Sequence, residues 1–400
     1  MTWLANGNVI DVRDGRIERR HLQVDAGRLA AIAAALPAKP DGAVIDMAGA
    51  YLLPGFFDCH VHICVDTHNP NVAEGWSNAL PGTIAIYAAQ AARRMLMAGI
   101  TTAREVGGWD YHEIAVRDAV NAGWIEGPRL HCAGRILTQT SSSTPYWRGM
   151  YEEADGPDAI RKAARQQLAH GANFIKLLAT GAITSSEHES ANAIQYRAEE
   201  IRAAVEIAED NHTYVAAHAH APAGIRNAVT AGCHSIEHTI FGEESVYRLM
   251  VERGTYLVPT VCVSPAMFKD PVFAAAVPAH IQKRYADIHE IHTANISLAR
   301  RLGVRIAMGT DAGTPGNHCG DNMQELEIMV RKSGFSTLAA IQAATMGAAA
   351  MMRLDKDLGT LEPGKIADII ATRDNPLDDV KALRSVSFVM KEGRIAKHVH

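Results

Sequence analysis

Residues 56–62 read Phe56-Phe57-Asp58-Cys59-His60-Val61-His62. An apolar start of this kind, behind the Gly55 turn, is a short buried strand. Alternate strand residues face the same side, so His60 and His62 share a face at the strand's C-terminal end. Working outward, seven further apolar runs alternate with longer stretches. They are Thr101–Val106, Arg129–Ala133, Phe174–Ala179, Tyr214–His220, His234–His238, Tyr256–Val261 and Arg305–Asp311. Between them, Ala85–Ala98, Pro157–His170, Ala198–Asn211 and Ala286–Leu302 have the 3.6-residue period of amphipathic helices. Gly99, Gly171, Gly232, Gly254 and Gly303 stand where helices stop before the next strand.

Eight strand–helix units predict an α/β fold, a (β/α)8 TIM barrel closed by helices at Met323–Ser333 and Thr337–Met352. The alternative, a doubly wound open sheet, would carry a Gly-rich phosphate turn, and none is present. Both chain ends have a different rhythm. Leu4–Val9, Ile17–Leu22, Leu29–Ala34 and Val44–Asp46 read as short strands, as do Ile366–Ala371, Val386–Lys391 and Ile395–His398. The expected organisation is a small β-sandwich domain, residues 1–55 plus 356–400, with the barrel at 56–355 inserted between its halves.

Composition excludes several classes. Hydrophobic residues at 48% give enough apolar surface for a packed core, so the chain is not disordered. A formal net charge of −5 without a basic run speaks against nucleic acid as a partner. No stretch approaches the ~18 consecutive apolar residues of a membrane span. Met1–Asn8 has neither a basic start nor a long apolar core, so no secretory signal is expected. The six Cys contain no CxxC pair and read as reduced core thiols of a cytoplasmic protein.

Histidine is frequent, with 19 residues, and several fall at strand ends. Two imidazoles at i and i+2 can hold one divalent cation. The HxH pattern occurs at His60/His62, His218/His220 and His398/His400; the last pair, at the C-terminus, reads as solvated. Lys176 sits inside Phe174-Ile175-Lys176-Leu177-Leu178, where a charged amine is expensive to bury. One reading lets its head reach water along an apolar surface. The other is a buried amine with a lowered pKa that reacts with CO2 to give N6-carboxylysine, an anionic ligand able to bridge two cations. His238 and Asp311 close the sixth and eighth runs. Cys59 alternates outward from His60 and reads as packing.

This constellation resembles the metal-dependent amidohydrolase superfamily. The matching pieces are Pro54–His62, Ile175-Lys176, Ala217–His220, Ile236-Glu237-His238, Gly309–Gly313 and Gly359–Asp368. Thr180-Gly181-Ala182 and Gln195-Tyr196 place it in the prolidase-like and imidazolonepropionase-like branch, with Xaa-Pro dipeptidase-type amidohydrolases. The resemblance implies two divalent metal ions, zinc by default. His60, His62 and Asp311 would hold the more buried ion and His218 and His238 the more exposed one, with carboxylated Lys176 between them. Asp311 would also move the proton in catalysis. His220 would touch substrate and stabilise the oxyanion, or alternatively replace His218 as ligand.

The implied activity is hydrolysis of an amide, peptide-like or carbamate C–N bond of a small molecule. The alternatives are a cyclic-amide hydrolase or deaminase, and a non-catalytic scaffold relative. The loops after the strands set specificity and offer His68, Tyr146, Trp147, Arg148, His188 and His318 as substrate-binding candidates. Dipeptidase-like relatives are expected to carry Gly-Gly-His-Gly-Asp after Gln-Thr in the third loop. Here Ser141–Pro145 stands instead, which argues against a free α-carboxylate on the substrate. The partner is thus a small-molecule amide, and the sequence leaves room for a homo-oligomer.

Overall fold

A computed structural model describes residues 1–71, 76 and 79–399. His400, half of the third HxH pair, and six residues of the loop after the first of the eight runs, 72–75 and 77–78, lie outside the described residues.

Each of the eight expected runs begins as a parallel strand. Phe56–Val61, Ile100–Glu105 and Arg129–Cys132 form a three-stranded sheet. Ile136–Thr138, Tyr151–Glu153, Ile175–Leu178, Val215–Ala219, Ser235–His238, Tyr256–Val258 and Arg305–Ile306 form a seven-stranded one. Two strands of the larger sheet, Ile136–Thr138 and Tyr151–Glu153, had no counterpart in the sequence reading. They are three residues each, too short for a periodic signal.

The eighth run is also shorter than expected as a regular strand, because beyond Ile306 its backbone bonds are shared among several neighbours, Ala307 N still donating to Leu257 O at 3.0 Å. Met308 N donates to Ala343 O at 2.8 Å, while Cys59 N donates to Met308 O at 2.8 Å and Asp311 N to His60 O at 2.7 Å. These bonds stitch the eighth run to the first. On the other flank of the small sheet, Asn173 N donates to Cys132 O at 2.7 Å. Both seams bring strand C-terminal ends to one side of the molecule.

The helices follow the expected pattern with shifted ends. Pro81–Met97, Pro157–Ala169, Ala198–Asp210 and Ile288–Leu302 bury their apolar stripes against the strands. The last expected helix is broken into Thr337–Ala344 and Met346–Met351. Thr345 leaves helical geometry and its Oγ1 donates back to Ile341 O at 2.7 Å, a side-chain bond that competes with the helix ladder.

The two chain ends do share one structure. Thr2–Ile10 pairs antiparallel with Ile17–Asp25 and parallel with Ala43–Asp46 and Tyr51–Pro54. Tyr51–Pro54 in turn pairs with Ile369–Thr372. The sequence reading expected a sandwich; the pairing is that of a single eight-stranded sheet with Ala43–Asp46 as a side branch. Leu4, Leu22, Leu52, Ile369, Phe388 and Met390 form its own apolar cluster. Arg129 ties it to the parallel strands, donating to Asp368 at 3.0 Å and Glu392 at 2.6 Å. Among the described residues no helix is long and apolar enough to cross a membrane.

Candidate metal centre

Strand alternation places Asp58, His60 and His62 on one face. Asp58 is fully buried and accepts from His60 N, Thr310 N and Thr310 Oγ1, and from Asn322 Nδ2. It thereby locks the end of the first strand to the Thr310-Asp311 turn. Asp311, His238 and Thr260 all stand at positive φ, 56°, 71° and 57°. That conformation costs a non-glycine residue about 1–3 kcal/mol. Three such residues at neighbouring strand ends turn the backbone sharply where the side chains converge. Gly313, at φ 108°, cannot be replaced there: an added Cβ would overlap the His62 carbonyl oxygen.

The convergence is specific. His60 Nε2 and His62 Nε2 each lie 3.3 Å from Asp311 Oδ1. The opposite nitrogens are already committed: His60 Nδ1 lies 2.8 Å from Glu237 Oε2 and His62 Nδ1 lies 2.9 Å from Gly107 O. A carboxylate and a carbonyl oxygen only accept, so both Nδ1 atoms carry the proton. The Nε2 lone pairs therefore face a carboxylate oxygen that is buried and has no hydrogen-bond donor. Three acceptors pointing at one another fit a divalent cation. Ligand atoms of His60, His238 and Asp311 lie within 4.8 Å of one another. The His218 ring is 4.6 Å from that of His238, and the His220 ring 4.3 Å from that of His218.

The electrostatics keep these groups in ligand form. Burial, reinforced by neighbouring positive groups, pushes His218 down to about 3 and His220 and His238 well below the imidazole range. All three are neutral at physiological pH, with lone pairs free. Burial would raise Asp311; positive charge on His60 and His62 outweighs it and holds the carboxyl below its usual range, and a cation seated between them would act in the same sense. Lys176 is 1% exposed, and burial pulls its amine down to about 8 against the pull of Glu237.

His60, His62, Lys176, His218, His220, His238 and Asp311 all line one cavity, as does Trp147. The remaining substrate candidates do not line it. His188 is 78% exposed beside Glu187. His68 and His318 lie against each other with ring centroids 4.9 Å apart, and His318 Nδ1 meets Thr67 Oγ1 at 2.7 Å. Tyr146 and Arg148 flank Trp147 in and after the 3-10 turn Thr144–Trp147. With about three residues per turn only one of those side chains can face inward; Tyr146 is half-buried elsewhere and Arg148 is exposed.

The apolar wall was not legible in the sequence. Met150, Ile183 and Ile240 come from loops, Tyr151 from a three-residue strand, and Tyr285 and Ile288 from the facing ends of the helices Ala279–Tyr285 and Ile288–Leu302. Thr260 Oγ1, 2.7 Å from His238 Nδ1, and His292 Nε2, 2.9 Å from His238 O, also escaped it. Asp58, Arg104 and Glu237 carried a usable signal, each being a charge inside an apolar run.

A site of imidazoles and one carboxylate at the C-terminal ends of parallel strands defines a metal-dependent hydrolase. The Amidohydrolase family profile matches residues 51–396, and the chain belongs to that family. It is a hydrolase acting on carbon–nitrogen bonds of the amide and peptide kind. Among curated proteins it is 31% identical over 375 residues to an ochratoxinase of Aspergillus niger, covering 86% of this chain and 75% of that one. Among solved structures it resembles a Xaa-Pro dipeptidase with methionine bound in the active site, at 32% identity and TM-score 0.91, over 98% of this chain and 99% of the other. A prolidase complexed with N-methylphosphonate-L-proline matches at 29% identity and TM-score 0.90, over 99% of each chain.

Proposed function

We propose that this protein hydrolyses the amide bond of a small molecule whose acyl or amine side is apolar or aromatic. Two divalent cations, zinc by default, would be held by His60, His62, Asp311, His218, His238 and carboxylated Lys176. The supporting observation is the set of acceptors facing Asp311 Oδ1 without a proton among them. The names of the relatives, a Xaa-Pro dipeptidase and a prolidase, support an amide or peptide substrate. In this reading the eight strands of the sequence runs form one barrel at residues 56–355, with Ile136–Thr138 and Tyr151–Glu153 as additional short strands, and 1–55 with 356–400 form the second domain. Six buried free thiols suit the cytoplasm.

When bound, the cations supply water activation at neutral pH and polarisation of the scissile carbonyl. The chain's residues do the rest. Lys176 acquires its ligand form when the neutral Nζ lone pair attacks the carbon of CO2. A nitrogen–carbon bond forms, one C=O electron pair moves to oxygen, and an N–H proton leaves to solvent. Asp311, anionic at neutral pH, accepts the proton of the attacking water at its carboxylate and delivers it to the departing nitrogen. His220 is neutral, and its ring N–H hydrogen-bonds the carbonyl oxygen as negative charge develops there. Trp147, Tyr151 and Tyr285 pack against the apolar group and exclude water.

No Arg lines the cavity among the described residues, so a free α-carboxylate finds imidazoles and hydroxyls but no guanidinium to pair with. The test is a hydrolysis screen of the metal-loaded protein. N-acyl amino acids and dipeptides are compared with neutral aryl amides and carbamates of matched apolar groups. Turnover of apolar amides, abolished by chelation and restored by metal, is expected. Absence of turnover across the panel with the metal sites filled overturns the proposal.

A further inference from the structure

Arg104 is among the largest fully buried side chains, and its guanidinium lies inside the parallel strands with no exposure. It belongs to the strand Ile100–Glu105, yet its bonds reach other strands. Nε donates to the carbonyl of Cys59, next to His60, at 2.6 Å. Nη1 donates to Ser235 Oγ at 2.9 Å. Nη2 donates to both oxygens of Glu237, at 2.7 and 2.8 Å. Ser235 Oγ donates to Glu237 Oε1 at 2.6 Å, and Glu237 Oε2 accepts from His60 Nδ1 at 2.8 Å.

A buried ion pair is poor support for stability, since an apolar pair of like volume often does as well. It can instead fix a geometry. Arg104 occupies both oxygens of Glu237 and orients that carboxylate edge-on to one imidazole. The carboxylate has no proton to give, so the imidazole must present Nδ1–H to it. His60 Nε2 is then left as a lone pair, aimed at Asp311 Oδ1. Because Nε of the same Arg104 grips the Cys59 carbonyl, the backbone beside His60 and its ring are held by one rigid planar group.

We infer that the Arg104–Glu237 pair is a positioning device that locks His60 in its Nδ1–H tautomer and sets the direction of its Nε2 lone pair. This rests on His60 being a metal ligand, as proposed above. Outer partners of this type change metal affinity about 10–100-fold. Ser235 supplies a control, since it bonds the same carboxylate without touching His60.

The experiment compares wild type, Glu237→Gln and Ser235→Ala. Nitrogen-15 spectra of histidine-labelled, metal-free protein report the His60 tautomer, and cobalt titration followed by its visible bands reports affinity and ligand field. The expected result is a single Nδ1–H tautomer in wild type and Ser235→Ala. In Glu237→Gln, whose amide can donate as well as accept, the tautomers mix. Cobalt affinity falls 10–100-fold there, and its bands shift. Should Glu237→Gln fail to fold, the double variant Arg104→Met/Glu237→Leu removes both charges and is read in the same way. An unchanged His60 tautomer in the folded variant, or an equal loss of affinity in Ser235→Ala, overturns the inference. If wild type takes up no cobalt, the functional reading fails, and the tautomer measurement still decides the lock.

Discussion

Asp58 offers the sharpest test of how the two strand ends are joined. Its Oδ1 accepts from His60 N at 3.1 Å and Thr310 N at 3.0 Å; its Oδ2 accepts from Thr310 Oγ1 at 2.5 Å and Asn322 Nδ2 at 2.7 Å. Asp58→Asn keeps the shape. An amide oxygen at Oδ1 serves both backbone donors, and the Thr310 hydroxyl can rotate to accept. The Asn322 contact cannot be rescued. Its Nδ2 would face another NH2, and its own Oδ1 is engaged by Gly320 N at 2.8 Å. One charge-assisted bond is lost and a buried donor is stranded, each worth about 1–3 kcal/mol. Relief from burying a carboxylate, whose pKa burial raises, offsets part of this, leaving about 2–3 kcal/mol. For a chain of 400 residues that corresponds to a Tm lower by about 3 °C. The double variant Asp58→Asn/Asn322→Asp restores a donor–acceptor pair and should recover most of the loss. Calorimetry of wild type and the two variants, with metal content by elemental analysis, measures both consequences. A double variant no more stable than Asp58→Asn refutes the account.

Other predictions follow from the same site. Asp311→Asn removes the proton carrier; kcat should fall about 10²–10⁴-fold while some metal is retained, and near-wild-type turnover would contradict that role. Lys176→Ala should leave at most one metal per chain by elemental analysis and abolish a carbamate signal after carbon-13 bicarbonate labelling; two metals per chain would exclude the bridge. Glu325 is fully buried and accepts from Val261 N and Cys262 N, and burial pushes it from 4.5 up to about 8. The folded chain thus holds this proton more tightly than the unfolded one. Its contribution to stability is complete below about 4.5 and is lost as pH rises through about 8. Glu325→Gln should flatten the decline of Tm across that window in metal-free protein, and an unaltered slope would refute it.

Much of this protein can be read from its amino acids in order. Strand periodicity put His60 beside His62, and the alternation of short apolar runs with helical stretches set the parallel arrangement, because side-chain direction along a strand is a local property. His218, His238, Asp311 and Lys176 were found in the same way, each at or within an apolar run where a polar group is costly. The matching rhythm of the two ends likewise marked them as one β unit, although the strand pairing makes it a single sheet where a sandwich is expected from the sequence. What tertiary structure alone decided is where loops point and which charges meet. Trp147 enters the cavity while Tyr146, Arg148, His68, His188 and His318 do not, since turn geometry and packing, not periodicity, aim a loop side chain. Arg104 and Glu237 lie 133 positions apart. Their union depends on strands brought together by burial of the whole core, and no local pattern encodes it.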